Sequence, residues 1–125
     1  MTATITPVLH YSDLTKASEF LRAAFGFDER VAHKGPDGEP VYVELTLDGC
    51  TIGIGRSAEP GSPFDLGPCA VYAAIDDPDA LHARAVGSGA EVVMALTDQE
   101  YGSREFAARD LEGNVWCFGT YRPGR

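Results

Sequence analysis

Tyr101-Gly102-Ser103-Arg104-Glu105-Phe106-Ala107-Ala108-Arg109-Asp110-Leu111-Glu112-Gly113-Asn114-Val115-Trp116-Cys117-Phe118-Gly119-Thr120-Tyr121 reads as a hairpin. Two strand-like runs flank the polar turn Asp110-Leu111-Glu112-Gly113-Asn114, where glycine and asparagine tolerate the positive φ that a reversal needs. Val115 to Tyr121 is rich in aromatic residues, as strands are. The rest of the chain reads as a partner for this hairpin and an earlier copy of it.

Upstream, Ile5 to Tyr11 is a short apolar run, taken as the first strand. Ser12-Asp13 offers an N-cap. Leu14, Ala17, Phe20, Leu21, Ala24 and Phe25 follow at helical spacing, and Gly26 closes the helix. Phe27 to His33 is a second strand and residues 34–40 a turn. Val41 to Leu47 alternates, with Val41, Val43, Leu45 and Leu47 on one face and Tyr42, Glu44 and Thr46 on the other, which predicts a half-buried third strand. Asp48-Gly49 turns the chain into a fourth, Cys50 to Gly55. Residues 57–68 hold three prolines and two glycines and read as a linker. Cys69 to Ile75 is a fifth strand. Asp76-Asp77-Pro78-Asp79 opens a second helix, its acidic groups at the positive dipole end, and Gly87-Ser88-Gly89 ends it. Ala90 to Leu96 is a sixth strand, and the opening hairpin supplies the last two. The order is β-α-β-β-β, linker, β-α-β-β-β: module 1 at about residues 4–56, module 2 at about 69–122, within one domain of residues 1–125.

Composition narrows the function. At 125 residues the chain can bury one core. A net charge of −9 leaves no basic face for nucleic acid and disfavours anionic membranes. A neutral or cationic small ligand fits better. No apolar run of membrane-spanning length occurs, and the first residues lack the charged and apolar segments of a signal peptide. Three cysteines (Cys50, Cys69, Cys117) form no paired framework, which suits a reducing cytoplasm.

The doubled β-α-β-β-β order, with Tyr11-Ser12-Asp13-Leu14, Ala24-Phe25-Gly26-Phe27, Tyr101-Gly102-Ser103-Arg104 and Arg109-Asp110-Leu111-Glu112-Gly113-Asn114-Val115-Trp116, resembles the vicinal oxygen chelate superfamily of glyoxalases, bleomycin-resistance proteins and extradiol dioxygenases. The short bleomycin-resistance-like branch is the best match. The resemblance implies an α+β fold, two βαβββ modules forming a curled mixed sheet around a cup, helices on the outside. It implies a homodimer that completes the cup, and a small-molecule ligand. Function does not follow from the fold, which hosts isomerases, dioxygenases, transferases and binders.

Family enzymes hold a divalent metal with His, Glu or Gln from four strands. Counting seven residues back from the helix-start aspartates, and seven on from Asp110, places those positions on Thr6, Cys69 and Cys117, with Gly53 as the fourth. These donors do not suit a hard metal, and two thiols fall short of a structural zinc site. The expectation is no metal and no other cofactor, with Cys69 and Cys117 as small apolar fillers. The assignment turns on register, since a one-residue slip exchanges the faces.

If Thr6 faces the cup, so do Val8 and His10. Tyr42 and Glu44 then face it from the third strand, Arg104, Phe106 and Ala108 from the seventh, and Val115, Cys117 and Gly119 from the last. His10 can act as a general base, orient a ligand, or serve as a hydrogen-bonded wall residue. Glu44 can meet a cation, act as a base, or sit as a solvated rim residue. Tyr42 and Phe106 can stack on a planar ligand or simply pack. Tyr101 and Arg104 can form a lid or clamp, or merely follow a turn. Trp116 is read as core or ligand contact, with Phe118 under a helix. His33 and His82 read as exposed. Three readings result: a metal-free binder of a small, partly aromatic, cationic, antibiotic-like molecule; an enzyme, either a metal-dependent lyase, isomerase or dioxygenase, or a metal-free acid–base catalyst using His10 and Glu44; or a fold relative with a purely structural or partner-binding role.

Overall fold

The computed structural model describes residues 3–124. Its elements follow the order β1 (Val8–Tyr11), α1 (Leu14–Phe25), β2 (Asp28–Lys34), β3 (Pro40–Leu47), β4 (Cys50–Arg56), β5 (Ala70–Ala74), α2 (Pro78–Gly87), β6 (Glu91–Asp98), β7 (Arg104–Arg109) and β8 (Val115–Gly119). Two four-stranded sheets result, ordered β1-β4-β3-β2 and β5-β8-β7-β6. In each the outer pair, β1 with β4 and β5 with β8, is parallel and the rest antiparallel. This is an α+β fold of two βαβββ modules, with the same strand order in both.

The chain divides into two compact units. One holds the residues up to Arg22 and Gly26–Leu66; the other holds Ala23–Phe25 and the residues from Gly67 on.

In the first unit, the Asp13 carboxylate accepts a 3.0 Å hydrogen bond from the Lys16 amide and caps α1. Gly26 ends the helix in the left-handed region, φ 83°, where a side chain would be strained. Leu14, Ala17, Ser18 and Leu21 form the buried stripe of α1. The sheet buries Leu9, Tyr11, Val43, Leu45, Ile52 and Ile54 on one face, which the period-2 alternation of β3 anticipates.

In the second unit, Asp77 rather than Asp76 caps α2, accepting from the Ala80 amide at 3.0 Å with Pro78 in the first turn. Trp116, Phe118, Phe106 and Phe25 form a buried aromatic stack, with Phe25 and Phe118 centroids 4.9 Å apart and edge-on. The turn of the opening hairpin is tied by Asp110. Its carboxylate accepts from the Glu112 and Asn114 amides, the Asn114 side chain and Trp116 Nε1, the last at 2.9 Å.

Candidate functional site

The pairing registers decide which side chains share a face. On the first sheet His10 pairs with Gly55, Gly55 with Tyr42, and Tyr42 with His33, so one row crosses all four strands. The next row is Val8, Gly53, Glu44 and Val31. Both rows lie on the face opposite the buried Val43 and Leu45. The predicted set His10, Tyr42 and Glu44 is therefore together on one face, as the alternation of β3 requires.

The glycines shape this face. A Cβ on Gly53 would lie 2.6 Å from the Tyr42 hydroxyl, so the phenol occupies the space over a bare backbone. A Cβ on Gly55 would meet the His10 ring at 3.5 Å. Tyr42 Oη donates to Glu44 Oε2 at 3.2 Å, and Arg30 donates to Glu44 Oε1 at 2.6 Å. Partial burial, then the Glu44 charge, pushes the Tyr42 phenol up, so it stays a donor. His33 stacks on Tyr42 with centroids 6.0 Å apart. His33 is exposed, as expected, but it belongs to this face; Arg30 sits at a β-bulge that sequence alternation does not reveal. His10 and Glu44 stand in different rows, and Glu44 is engaged by Arg30 and Tyr42.

On the second sheet the faces differ from expectation. Phe106 pairs with Phe118 and Ala107 with Cys117, and cross-strand partners share a face. Phe106 is thus on the α2 face, fully buried, its ring 5.1 Å from His82 and edge-on. Ala108 goes with it. The five-residue turn Asp110–Asn114 sets this parity; Phe106 and Cys117 cannot share a face across it. Arg104, on the same side as Phe106, reaches Asp79 at 2.6 Å and Asp98 at 3.2 Å. It ties β7 to the start of α2 instead of standing free as a clamp. Trp116 is core, its indole held by Asp110. His82 is half-buried rather than exposed.

Cys117 does occupy the other face, with Tyr72, Gly119 and Glu105. Burial, then the Glu105 charge, raises its thiol pKa, so it is no activated nucleophile. Tyr101 reaches this face, its Oη donating to Glu105 Oε1 at 2.8 Å. That bond pushes the Tyr101 phenol up to about 12. Tyr72 and Glu105 were missed by sequence reading; the hairpin register finds Glu105, whereas Tyr72 follows only from the parallel pairing of β5 with β8.

The metal positions also shift. With Asp77 as the cap, the seven-residue count lands on Ala70, which is in β5. Cys69 precedes β5, donates its amide to the Asn114 side chain, and its thiol is raised by burial and then by Asp110. By strand parity it lies on the face opposite Cys117. The four positions are then Thr6 and Gly53 in the first unit, Ala70 and Cys117 in the second. One thiol, one hydroxyl and no imidazole or carboxylate do not fit a hard divalent metal. Among the described residues no three His, Cys, Asp or Glu side chains gather as a metal site.

Comparison with known proteins agrees with the fold. The family model of the Glyoxalase/Bleomycin resistance protein/Dioxygenase superfamily matches residues 5–118, and this chain belongs to that superfamily. An uncharacterized protein of Mycobacterium tuberculosis is 32% identical over 126 residues, covering 92% of this chain and 72% of its own length. The crystal structure of TioX from Micromonospora sp. ML1 has a TM-score of 0.84 and 27% identity, covering 97% of this chain and all of that one. Lactoylglutathione lyase from Agrobacterium tumefaciens shares the fold, with a TM-score of 0.71 at 21% identity over 95% of this chain and 93% of that one. Among the described residues no helix is long and apolar enough to cross a membrane.

Proposed function

We propose that this protein binds a small, partly aromatic, cationic molecule of antibiotic-like character, without a metal. The carrying observation is the row of His10, Tyr42 and His33 beside Glu44: flat rings for stacking next to a carboxylate that already receives a cationic guanidinium. Arg30 is exposed and its ion pair with Glu44 is a surface one, so a ligand cation can replace it at small cost. The net charge of −9 draws such a ligand in. The metal positions, short of hard donors, support binding rather than metal chemistry. As expected from small superfamily members, the working form is proposed to be a homodimer, acting in a reducing cytoplasm that suits its free thiols.

Calorimetry with cationic aromatic antibiotics tests this reading. Binding unaffected by chelator and weakened in Tyr42→Ala and Glu44→Gln is expected. Failure to bind any such compound, together with turnover stimulated by an added divalent metal, overturns it.

A further inference from the structure

We infer that Glu105, on the second sheet, is the counter-charge of a separate site for a protonated aromatic amine. It is carried by residues of the second unit alone and does not depend on the binding reading above. Glu105 is 4% exposed, and burying a carboxylate is costly unless it is compensated. Its compensation within the protein is a single neutral donor, Tyr101 Oη on Oε1. Among the described residues it makes no ion pair. The neighbouring arginines on its own strand are engaged elsewhere, Arg104 with Asp79 and Asp98, Arg109 with Glu91. Among the described residues no hydrogen bond to Oε2 is seen.

The surroundings are built around that carboxylate. A Cβ on Gly119 would stand 2.6 Å from Glu105 Cγ, 2.7 Å from Tyr72 Oη and 3.0 Å from Ser103 Oγ, so three polar side chains converge over one bare backbone position. Tyr72 Oη is spent on the Tyr121 carbonyl at 2.6 Å, and Ser103 Oγ accepts from the Tyr121 amide at 3.1 Å. Among the described hydrogen bonds neither hydroxyl donates to Glu105. The rings of Tyr101 and Tyr121 meet edge-on at 6.5 Å, giving aromatic faces beside the charge. The phenols of Tyr72 and Tyr101 and the Cys117 thiol are all held protonated, by burial first for Tyr72 and Cys117 and by the Glu105 hydrogen bond first for Tyr101. A carboxylate with one neutral donor, beside aromatic groups that stay protonated, is suited to an ammonium joined to an aromatic moiety.

The test compares 2-phenylethylamine, protonated at pH 7, with its neutral counterpart 2-phenylethanol, by calorimetry and by amide chemical shifts. The amine is expected to bind at least about tenfold more tightly and to shift the amides of Glu105 and Gly119. Glu105→Gln, which keeps an acceptor for Tyr101, is expected to abolish the preference. Should that variant fail to fold, the two probes on the unaltered protein still decide. Equal binding of both probes, or amine binding that leaves Glu105 and Gly119 unmoved, overturns the inference while leaving the binding reading standing. Failure of both probes to bind overturns it as well, and failure of the antibiotics to bind bears on the first-sheet reading alone.

Discussion

Gly53 and Tyr42 are neighbours across β4 and β3 whose relation is one of absence: the phenol lies where a Cβ on the glycine would be, 2.6 Å from its hydroxyl. The orientation of Tyr42 toward Glu44 depends on that missing methyl.

Gly53→Ala is therefore expected to push the Tyr42 ring aside. The clash is with the far end of a movable side chain, so the fold survives at a cost of about 1–3 kcal/mol. The Tyr42–Glu44 hydrogen bond is lost and the phenol pKa falls back toward its ordinary value. Tyrosine absorbance titration of the variant against Tyr42→Phe reads this directly, and affinity for cationic aromatic ligands should drop in parallel.

Asp110→Ala should be among the most damaging single changes. It removes the hydrogen bonds that the buried Trp116 Nε1 and the Asn114 side-chain amide make to this carboxylate. A loss of roughly 3 kcal/mol is expected, with Asp110→Asn recovering part of it. Urea unfolding followed by tryptophan fluorescence measures both; a loss under about 1 kcal/mol would show that the turn holds without this hub.

Tyr101 gives a pH prediction. Its folded pKa, about 12, lies above the ordinary 10.0. Its contribution to stability is whole below pH 10 and is lost as pH rises toward 12, because the unfolded chain releases the proton first. Absorbance titration should show a phenol titrating near 12 that is absent in Tyr101→Phe. Glu105→Gln should bring that phenol back toward 10, since the Glu105 hydrogen bond is the main cause.

Arg104→Ala separates a tether from a ligand clamp. Its pairs with Asp79 and Asp98 are substantially exposed, so the stability cost should be small and should shrink in high salt. Ligand affinity should not change. A large fall in affinity with stability intact would restore Arg104 to the binding machinery.

Much of this was legible along the chain. Asp13 and Gly26 bracket α1 by local hydrogen bonding and a positive φ, both properties of single residues. The alternation Val41-Tyr42-Val43-Glu44 separated the two faces of β3 without help from the rest of the protein. The boundary of α2 was harder. Asp76 and Asp77 are both competent caps, and the choice of Asp77 moved the matched position in β5 from Cys69 to Ala70.

What the amino-acid order determined by itself is the succession of elements, the twofold repeat of βαβββ, the acidic surface and the shortage of hard metal donors. These follow from short-range periodicity, capping and composition. What only the tertiary structure decided is which rows of side chains meet: that Phe106 joins Phe118 beneath α2, that Tyr42 lies over Gly53, and that Glu105 stands buried beside Tyr72, Tyr101 and Cys117. A strand alternates with period two, so each segment defines two faces but not which one meets its neighbour's. That parity is set by turn length and by hydrogen bonds between residues far apart in the chain.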